Sequence, residues 1–221
     1  MNARPRLSTH EKAQENRRQI LESAERVFAR KGFDGANMRE IAAAAGVNKF
    51  MLYYHFDDKQ TLFDRVLEAI TRPVFRKLTD TIDGAASLEE AIGDVYDLYA
   101  RLFAKNGGRM RSFMAREIAA GAPRASKLFK LRLPAIFDHW APKIEEDLGR
   151  GPLPERQLAM AGMNIMVSIV SRFLMQPLLT EVMAAQQLFP ADRHVKEQAV
   201  QFILGGVRAS VGTTVLTQTH N

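Results

Sequence analysis

The segment from Asn37 to Phe56, reading NMREIAAAAGVNKFMLYYHF, constrains the fold more than any other part of the chain. Asn37 and Asn48 each stand where a helix can begin, because an Asn side chain accepts a backbone N–H of the first turn. Glu40 follows Asn37 at the spacing of a capping box. Gly46 tolerates positive φ and stops the first helix. The reading is therefore one short helix ending at Gly46 and a second over Lys49–His55. Helices this short are not stable alone, so packing must hold them. Ala42 and Ala45 are small enough for a close crossing, and Ile41, Val47, Leu52 and Phe56 are spaced to pin both helices to a larger body. This is the pattern of a helix-turn-helix. Its outer face is left with Lys49, Tyr53, Tyr54 and His55.

The flanking sequence supplies that body. Ile20, Leu21, Ala24, Val27 and Phe28 fall on one face of a preceding helix, which Gly32 is expected to end in a left-handed conformation. Asp57 or Asp58 can cap a fourth helix, about Asp58–Thr79, with Leu62, Phe63, Val66, Leu67 and Ile70 on one face. Beyond a loop at 83–87, helices are expected at about 88–104, 110–119, 126–148 (bent near Pro134 or Pro142), 155–175 and 192–213. Pro177 and Pro190 bracket a short helical piece. No alternating strand pattern and no repeat occurs, so the fold class is all-α: an N-terminal three-helix helix-turn-helix domain and a C-terminal helical domain. The boundaries are residues 1–16 as a flexible basic arm, 17–60 as the helix-turn-helix domain and 61–221 as the second helical domain, to which the resemblance set out below assigns effector binding and dimerisation.

Composition narrows the functional classes. The 221 residues contain no cysteine, which excludes a disulfide framework, thiolate metal sites and a cysteine nucleophile. The polar start MNARPRLSTHEKAQENRR has no apolar stretch of the signal-peptide kind, and a cytoplasmic location is expected. The longest apolar run, Leu158 to Met175, contains Asn164, Ser168, Ser171 and Arg172, so a buried helix is favoured over a membrane span. The net charge of +6 suits association with nucleic acid. It is spread along the chain, because residues 1–60 hold 11 Lys and Arg against 8 Asp and Glu. No GxSxG, HExxH, phosphate-binding or dinucleotide fingerprint occurs. Asp138-His139 and Asp192-Arg193-His194 read as surface pairs, since neighbours in sequence face different sides of a helix. No metal or cofactor is called for.

The order IleLeu at 20–21, Ala24, Phe28, Lys31-Gly32-Phe33, Ile41-Ala42, Ala45-Gly46-Val47, Leu52-Tyr53-Tyr54-His55-Phe56, Lys59 and Leu62 resembles the TetR family of repressors over about Gln19 to Leu67. The resemblance implies a three-helix DNA-binding domain, a connecting fourth helix, a divergent helical effector domain, and a homodimer joined through its last two long helices. Carried over by position, Lys49 and Phe50 fall where family members touch base edges. Tyr53, Tyr54, His55 and Lys59 fall where they touch phosphates, and Arg39 where the preceding helix reaches the backbone. Phe50 replaces a residue that is often small, Met51 one that is often Thr or Ser, and Asn37-Met38 a frequent Thr pair. These departures bear on the operator sequence. Phe50 either contacts a thymine methyl or packs. Arg4, Arg6, Arg17 and Arg18 form a basic arm for phosphate or minor-groove contact, or a solvated tail.

Outside that region, Met110, Phe113, Met114, Phe137, Trp140, Met163, Met166 and Phe173 form a set of soft and aromatic side chains expected to line a pocket for a small, largely apolar or aromatic effector; each alone is also an ordinary core residue. Asn164 and Arg172 are the polar candidates for orienting the effector, or else serve the dimer. Arg109 to Arg132 carries a local excess of positive charge, read either as a solvated face or as an entrance for an anionic effector. Val195, Ala199, Phe202, Ile203, Gly206, Val207 and Ser210 form a stripe that, with Met160, Met163, Val167, Val170 and Leu174, is expected at a two-fold interface. The expected partners are a near-palindromic double-stranded DNA operator, a second copy of the chain and the effector, with no membrane. An architectural DNA-binding protein without effector and an all-helical enzyme are the alternatives.

Overall fold

The computed structural model describes residues 8–104, 108–185 and 192–212. Among them the chain forms helices only: α1 (Thr9–Gly35), α2 (Met38–Ala45), α3 (Lys49–His55), α4 (Lys59–Gly84), α5 (Leu88–Ala104), α6 (Arg109–Ala119), α7 (Ala125–Leu148), α8 (Glu155–Ala185) and α9 (Asp192–Gly212). The all-α expectation holds. The chain divides into two compact units. The first holds residues up to Arg72 together with 108–127, and the second holds 73–107 and 128–221.

In the first unit α1 packs on α2 and α6, and α2 packs on α3. Its core is built from Ile20, Ala24, Val27 and Phe28 of α1, Ile41 and Ala42 of α2, Leu52 of α3, Phe56, and Leu62, Phe63, Val66 and Leu67 of α4, all buried. Phe28, Phe63 and Phe113 form an aromatic centre, with Phe63 edge-on to Phe28 at 4.9 Å and stacked on Phe113 at 5.0 Å. Helix α6 thus belongs to the body that supports α2 and α3.

The second unit is centred on α5, which packs on α8 and α9. Ile92, Val95 and Tyr99 of α5, Trp140 and Ile144 of α7, Ile165 and Ile169 of α8, and Leu204 and Val207 of α9 fill its core. Gly162 lets α7 approach α8, because a Cβ there would lie 2.8 Å from Cδ1 of Phe137. Over Glu155–Val182, α8 is long and apolar enough by composition to cross a membrane. Ala161, Ile165, Ile169 and Phe173 of that helix are buried in the unit, so it has the two-sided character of a packed helix.

Several boundaries differ from expectation. Helix α1 starts at Thr9, inside the stretch read as an arm, because Ser8 accepts from the Glu11 N–H while the Glu11 carboxylate accepts from the Ser8 N–H. Arg4 and Arg6 lie outside the described residues. Gly32 breaks α1 with φ 73° and ψ −178°, but the helix resumes to Gly35. Asn37 caps α2 as expected, yet Glu40 does not complete a capping box; its carboxylate pairs with Arg30 at 2.6 Å and Lys31 at 2.7 Å. Helix α4 extends to Gly84, leaving a shorter loop in which Ser87 accepts from the Glu90 N–H. Helix α8 passes through Pro177 to Ala185 instead of ending at 175, since one proline removes one helical donor without forbidding the next turn. Pro190 lies outside the described residues. The stripe expected on α9 splits: Ile203 and Val207 are buried, whereas Phe202, Gly206 and Ser210 are exposed.

Candidate nucleic-acid interface

The geometry of α2 and α3 follows from local chemistry. The Asn37 side chain accepts the Glu40 N–H at 2.8 Å, and that of Asn48 accepts the Met51 N–H at 2.7 Å. Gly46 ends α2 in the left-handed region, at φ 66° and ψ 24°. Its N–H and that of Val47 return to the Ala43 and Ala42 carbonyls, a Schellman closure. Leu52 and Phe56 are sealed in the core, so α3 is held by its inner face. Ala42 is buried at the crossing, while Ala45 and Val47 are only half-buried.

The outer face of α3 presents large side chains to solvent. Phe50 is 87% exposed and Tyr54 81% exposed, and Tyr53 is less so. Lys49 is exposed, with its ammonium 5.5 Å from the centre of the Tyr53 ring. Arg39 on α2 is exposed. An exposed phenyl beside tyrosines and a lysine is poorly matched to water and well matched to a polyanion that also offers methyl groups and flat bases. The structure therefore brings Arg39, Lys49, Phe50, Tyr53 and Tyr54 to the surface of adjoining short helices.

The other two predicted residues are placed differently. His55 is half-buried, and its Nε2 is sealed without a hydrogen-bond partner. Burial, and then the charge of Arg17, hold its pKa below the ordinary value of 6.5. Lys59 is turned inward. Its ammonium donates to the Phe33 and Ala36 carbonyls, at 3.0 Å and 3.1 Å, and lies 4.4 Å from the centre of the Phe33 ring. A phosphate contact from Lys59 requires it to leave those carbonyls.

Sequence reasoning missed the groups that fix this platform from a distance. Ser23, buried on α1, donates to the Ala44 carbonyl at 3.2 Å and so ties α1 to the end of α2. Arg116 of α6 donates to the Ala29 carbonyl at 3.0 Å, just before the break at Gly32. Arg17, read in the sequence as part of a basic arm, instead stands on α1 with its guanidinium 5.5 Å from the centre of the Phe56 ring. The buried Glu117 carboxylate accepts the Arg124 and Ala125 N–H groups at the start of α7. A cleft of about 290 Å³ opens here, lined by Phe28, Phe33, Phe63, Arg116 and Arg124 among others. Its cations are already engaged: Lys31 by Glu40, Arg116 by Ala29, and Arg124 by Gln60, by Glu117 and by the Phe33 ring at 3.5 Å.

The predicted effector set is divided between the units. Met110, Phe113 and Met114 lie on α6 in the first unit, where Phe113 is part of the aromatic centre. Phe137, Trp140, Met166 and Phe173 lie in the second unit, half-buried or buried. Met163 is 39% exposed and faces outward; its helical position joins it to Met160 and Val167 instead of the interior. Helical spacing alone does not tell the inward face from the outward one when both are apolar. His139 pairs with Asp83 at 2.7 Å, not with its neighbour Asp138, and His194 with Glu197 at 3.6 Å.

Comparison with known proteins agrees with this reading of α1 to α4. Residues 20–66 match the family described as bacterial regulatory proteins, tetR family. The chain is 43% identical over 60 residues to the HTH-type transcriptional regulator AcrR of Shigella flexneri, covering 27% of this chain and 28% of that protein. It is 33% identical over 95 residues to the HTH-type transcriptional repressor NicS of Pseudomonas putida, covering 41% and 45%. The matches thus span less than half the length of these curated relatives. Among solved structures, the transcriptional regulator FadR of Bacillus subtilis, in complex with stearoyl-CoA, superposes with a TM-score of 0.65 at 15% identity, over 86% of this chain and 98% of that one. The fatty acid degradation regulator FadR of Bacillus halodurans gives 0.62 at 16% identity, over 92% and 99%. At such identities the likeness is one of fold across both units. Residues 20–66 thus carry a helix-turn-helix of the tetR family of bacterial regulatory proteins, and the rest of the chain shares the fold of such regulators.

Proposed function

We propose that this chain is a DNA-binding transcription regulator, a repressor that sits on its operator as a homodimer and leaves it when a small, largely apolar effector binds. The observation that carries the reading is the outer face of α3, where Phe50 and Tyr54 stand almost fully exposed beside Lys49 while Leu52 anchors the helix from behind. A helix held in this way fits a major groove about 12 Å wide. Lys49 and Arg39 supply phosphate or base contacts, the tyrosine hydroxyls donate to phosphates, and the Phe50 ring lies against a thymine methyl.

A second copy is required because one seven-residue helix covers too few base pairs for specificity. The surface suited to it is the outward stripe of α8, where Met160, Val167, Leu178 and Val182 are each about half exposed, with Phe202 of α9 at 79%. Two recognition helices then read half-sites about 34–36 Å apart. Helix α4 runs continuously from the first unit into the second, with the division at Arg72 and Pro73, so a ligand in the second unit can act on the first by tilting α4. The effector shifts the population between DNA-competent and incompetent states. The stearoyl-CoA complex of the Bacillus subtilis neighbour supports an effector site in a fold of this kind.

Selection from a pool of randomised duplexes tests the proposal. A two-fold symmetric consensus with half-sites one helical turn apart, or a multiple of it, is expected. Retention of duplexes without any consensus would leave an architectural protein, and retention of none would remove DNA from the account.

A further inference from the structure

Arg172 is the one cationic side chain of α8, among the described residues, that is not left exposed. It follows Ile165 and Ile169 on the helix and is half-buried, whereas Asn164 is exposed on the outward stripe. Its Nε donates to the Tyr96 hydroxyl at 3.1 Å. Among the described residues no carboxylate stands within ion-pair distance of it. Lys196 and Arg208 of the same unit each have one, Asp97 at 2.6 Å and Asp147 at 2.7 Å. A guanidinium is a planar fork of five donors shaped for two carboxylate oxygens; here one donor is used. A charge left in partly apolar surroundings without a counter-ion is costly. The unpaired terminal amino groups are not among the sealed polar atoms, so a ligand atom can reach them.

What lies next to this cation is a row of rings. Tyr96 and Phe173 are 4.9 Å apart, Phe173 and Phe103 are stacked at 6.0 Å, and Phe103 and Tyr99 are 6.1 Å apart. Tyr96, Tyr99 and Phe173 are buried, and burial pushes the Tyr99 hydroxyl well above the ordinary tyrosine range, so it stays neutral. The second unit thus offers an unmatched positive charge at one end of an apolar, aromatic interior.

We infer that Arg172 and the Tyr96 hydroxyl bind the carboxylate head of an amphiphilic effector whose apolar part lies toward Phe173 and Phe103. This rests on the effector reading above and narrows it from an apolar molecule to an anionic one. The Tyr96 oxygen accepts from Arg172 and gives its own proton to the ligand, so the two side chains form one donor set. The hydroxyl lies on α5 inside the same unit, which favours a ligand over a partner subunit as the missing acceptor.

The chain has one tryptophan, Trp140, fully buried in the same core, so its fluorescence reports on this interior. The full-length protein is titrated with octanoate, dodecanoate and phenylacetate, and with 1-octanol, 1-dodecanol and 2-phenylethanol, below any micelle concentration. Each carboxylate is expected to bind about tenfold or more tightly than its alcohol, as a charge-assisted pair requires. Arg172→Gln should bring the two to parity, Arg172→Lys should keep part of the preference, and Tyr96→Phe should lower it about two- to fivefold. Arg150→Gln, in the exposed loop before α8, should leave it unchanged. Equal affinities in the unsubstituted protein, no binding of any carboxylate, a preference that survives Arg172→Gln, or a change of oligomer mass in that variant in place of a change in ligand preference would overturn the inference. No DNA enters the assay. A chain that binds its operator but shows no carboxylate preference loses this inference and keeps the regulator reading.

Discussion

Helix α3 and helix α8 both show large apolar side chains to solvent, and they do so in different ways. On α3 the exposed rings, Phe50 and Tyr54, are few, stand on a seven-residue helix and are mixed with Lys49. On α8 the stripe Met160, Val167, Leu178 and Val182 runs along most of a 31-residue helix. The first surface is small, aromatic and cationic; the second is long and apolar. A long apolar stripe is stabilised by another apolar surface through the area it removes from water. A short aromatic and cationic surface gains little that way and suits a polyanion. Exposed hydrophobicity alone therefore does not name a partner; its length and the charges within it do.

The comparison breaks most sharply if the two surfaces are exchanged in character. Val167→Glu combined with Phe202→Glu places charges on the long stripe, and light scattering should show the proposed dimer become a monomer. Operator affinity is then expected to fall about 100-fold or more, because linked half-sites gain by effective concentration. Unchanged mass would move the interface elsewhere. On the short surface, Gly46→Ala forces a Cβ into a left-handed position although no atom lies within 4 Å of it. About 1–2 kcal/mol should be lost on denaturant unfolding through backbone strain alone. Asn48→Ala should cost about 1 kcal/mol by removing the cap of α3.

A finer test of the α3 surface changes the DNA. Replacing the facing thymine by deoxyuridine removes only a methyl group. The affinity of the unsubstituted protein should drop about three- to tenfold, and that of Phe50→Ala should not respond; equal responses would return Phe50 to a packing role. The smallest expected effect is at His55. Burial lowers its pKa in the folded state, so the unfolded chain takes up the proton first as pH falls through about 6.5. The stability linked to His55 is present above that pH and declines below it. In paired urea titrations at pH 7.5 and 5.5, His55→Gln should lose less stability on acidification than the unsubstituted protein.

The two surfaces were not equally legible in the sequence. Asn37, Gly46 and Asn48 act on groups three or four residues away, so their spacing displays their function. Lys59 reaches carbonyls 23 and 26 residues away, and Arg116 one that is 87 residues away; no local pattern announces such bonds. The inward turn of Lys59 was hidden for that reason, as was the placement of α6 with α1. On α8 and α9 nearly every face is apolar, so periodicity gave the helices but not their orientation. Met163 and Phe202 proved to face outward. Pro177 signalled an end that α8 does not obey, since a proline's local cost is set against the packing of a whole helix.

The central claim is that the outer face of α3 binds DNA, and salt-dependent anisotropy tests it most directly. A labelled operator duplex is titrated at several salt concentrations with the unsubstituted chain, Lys49→Ala and Tyr54→Ala. The account predicts that log affinity falls linearly with log salt, that Lys49→Ala lowers the slope by about one, and that Tyr54→Ala weakens binding about tenfold or more without altering thermal stability. Binding that is unaffected by both substitutions, or absent even at low salt, would contradict it.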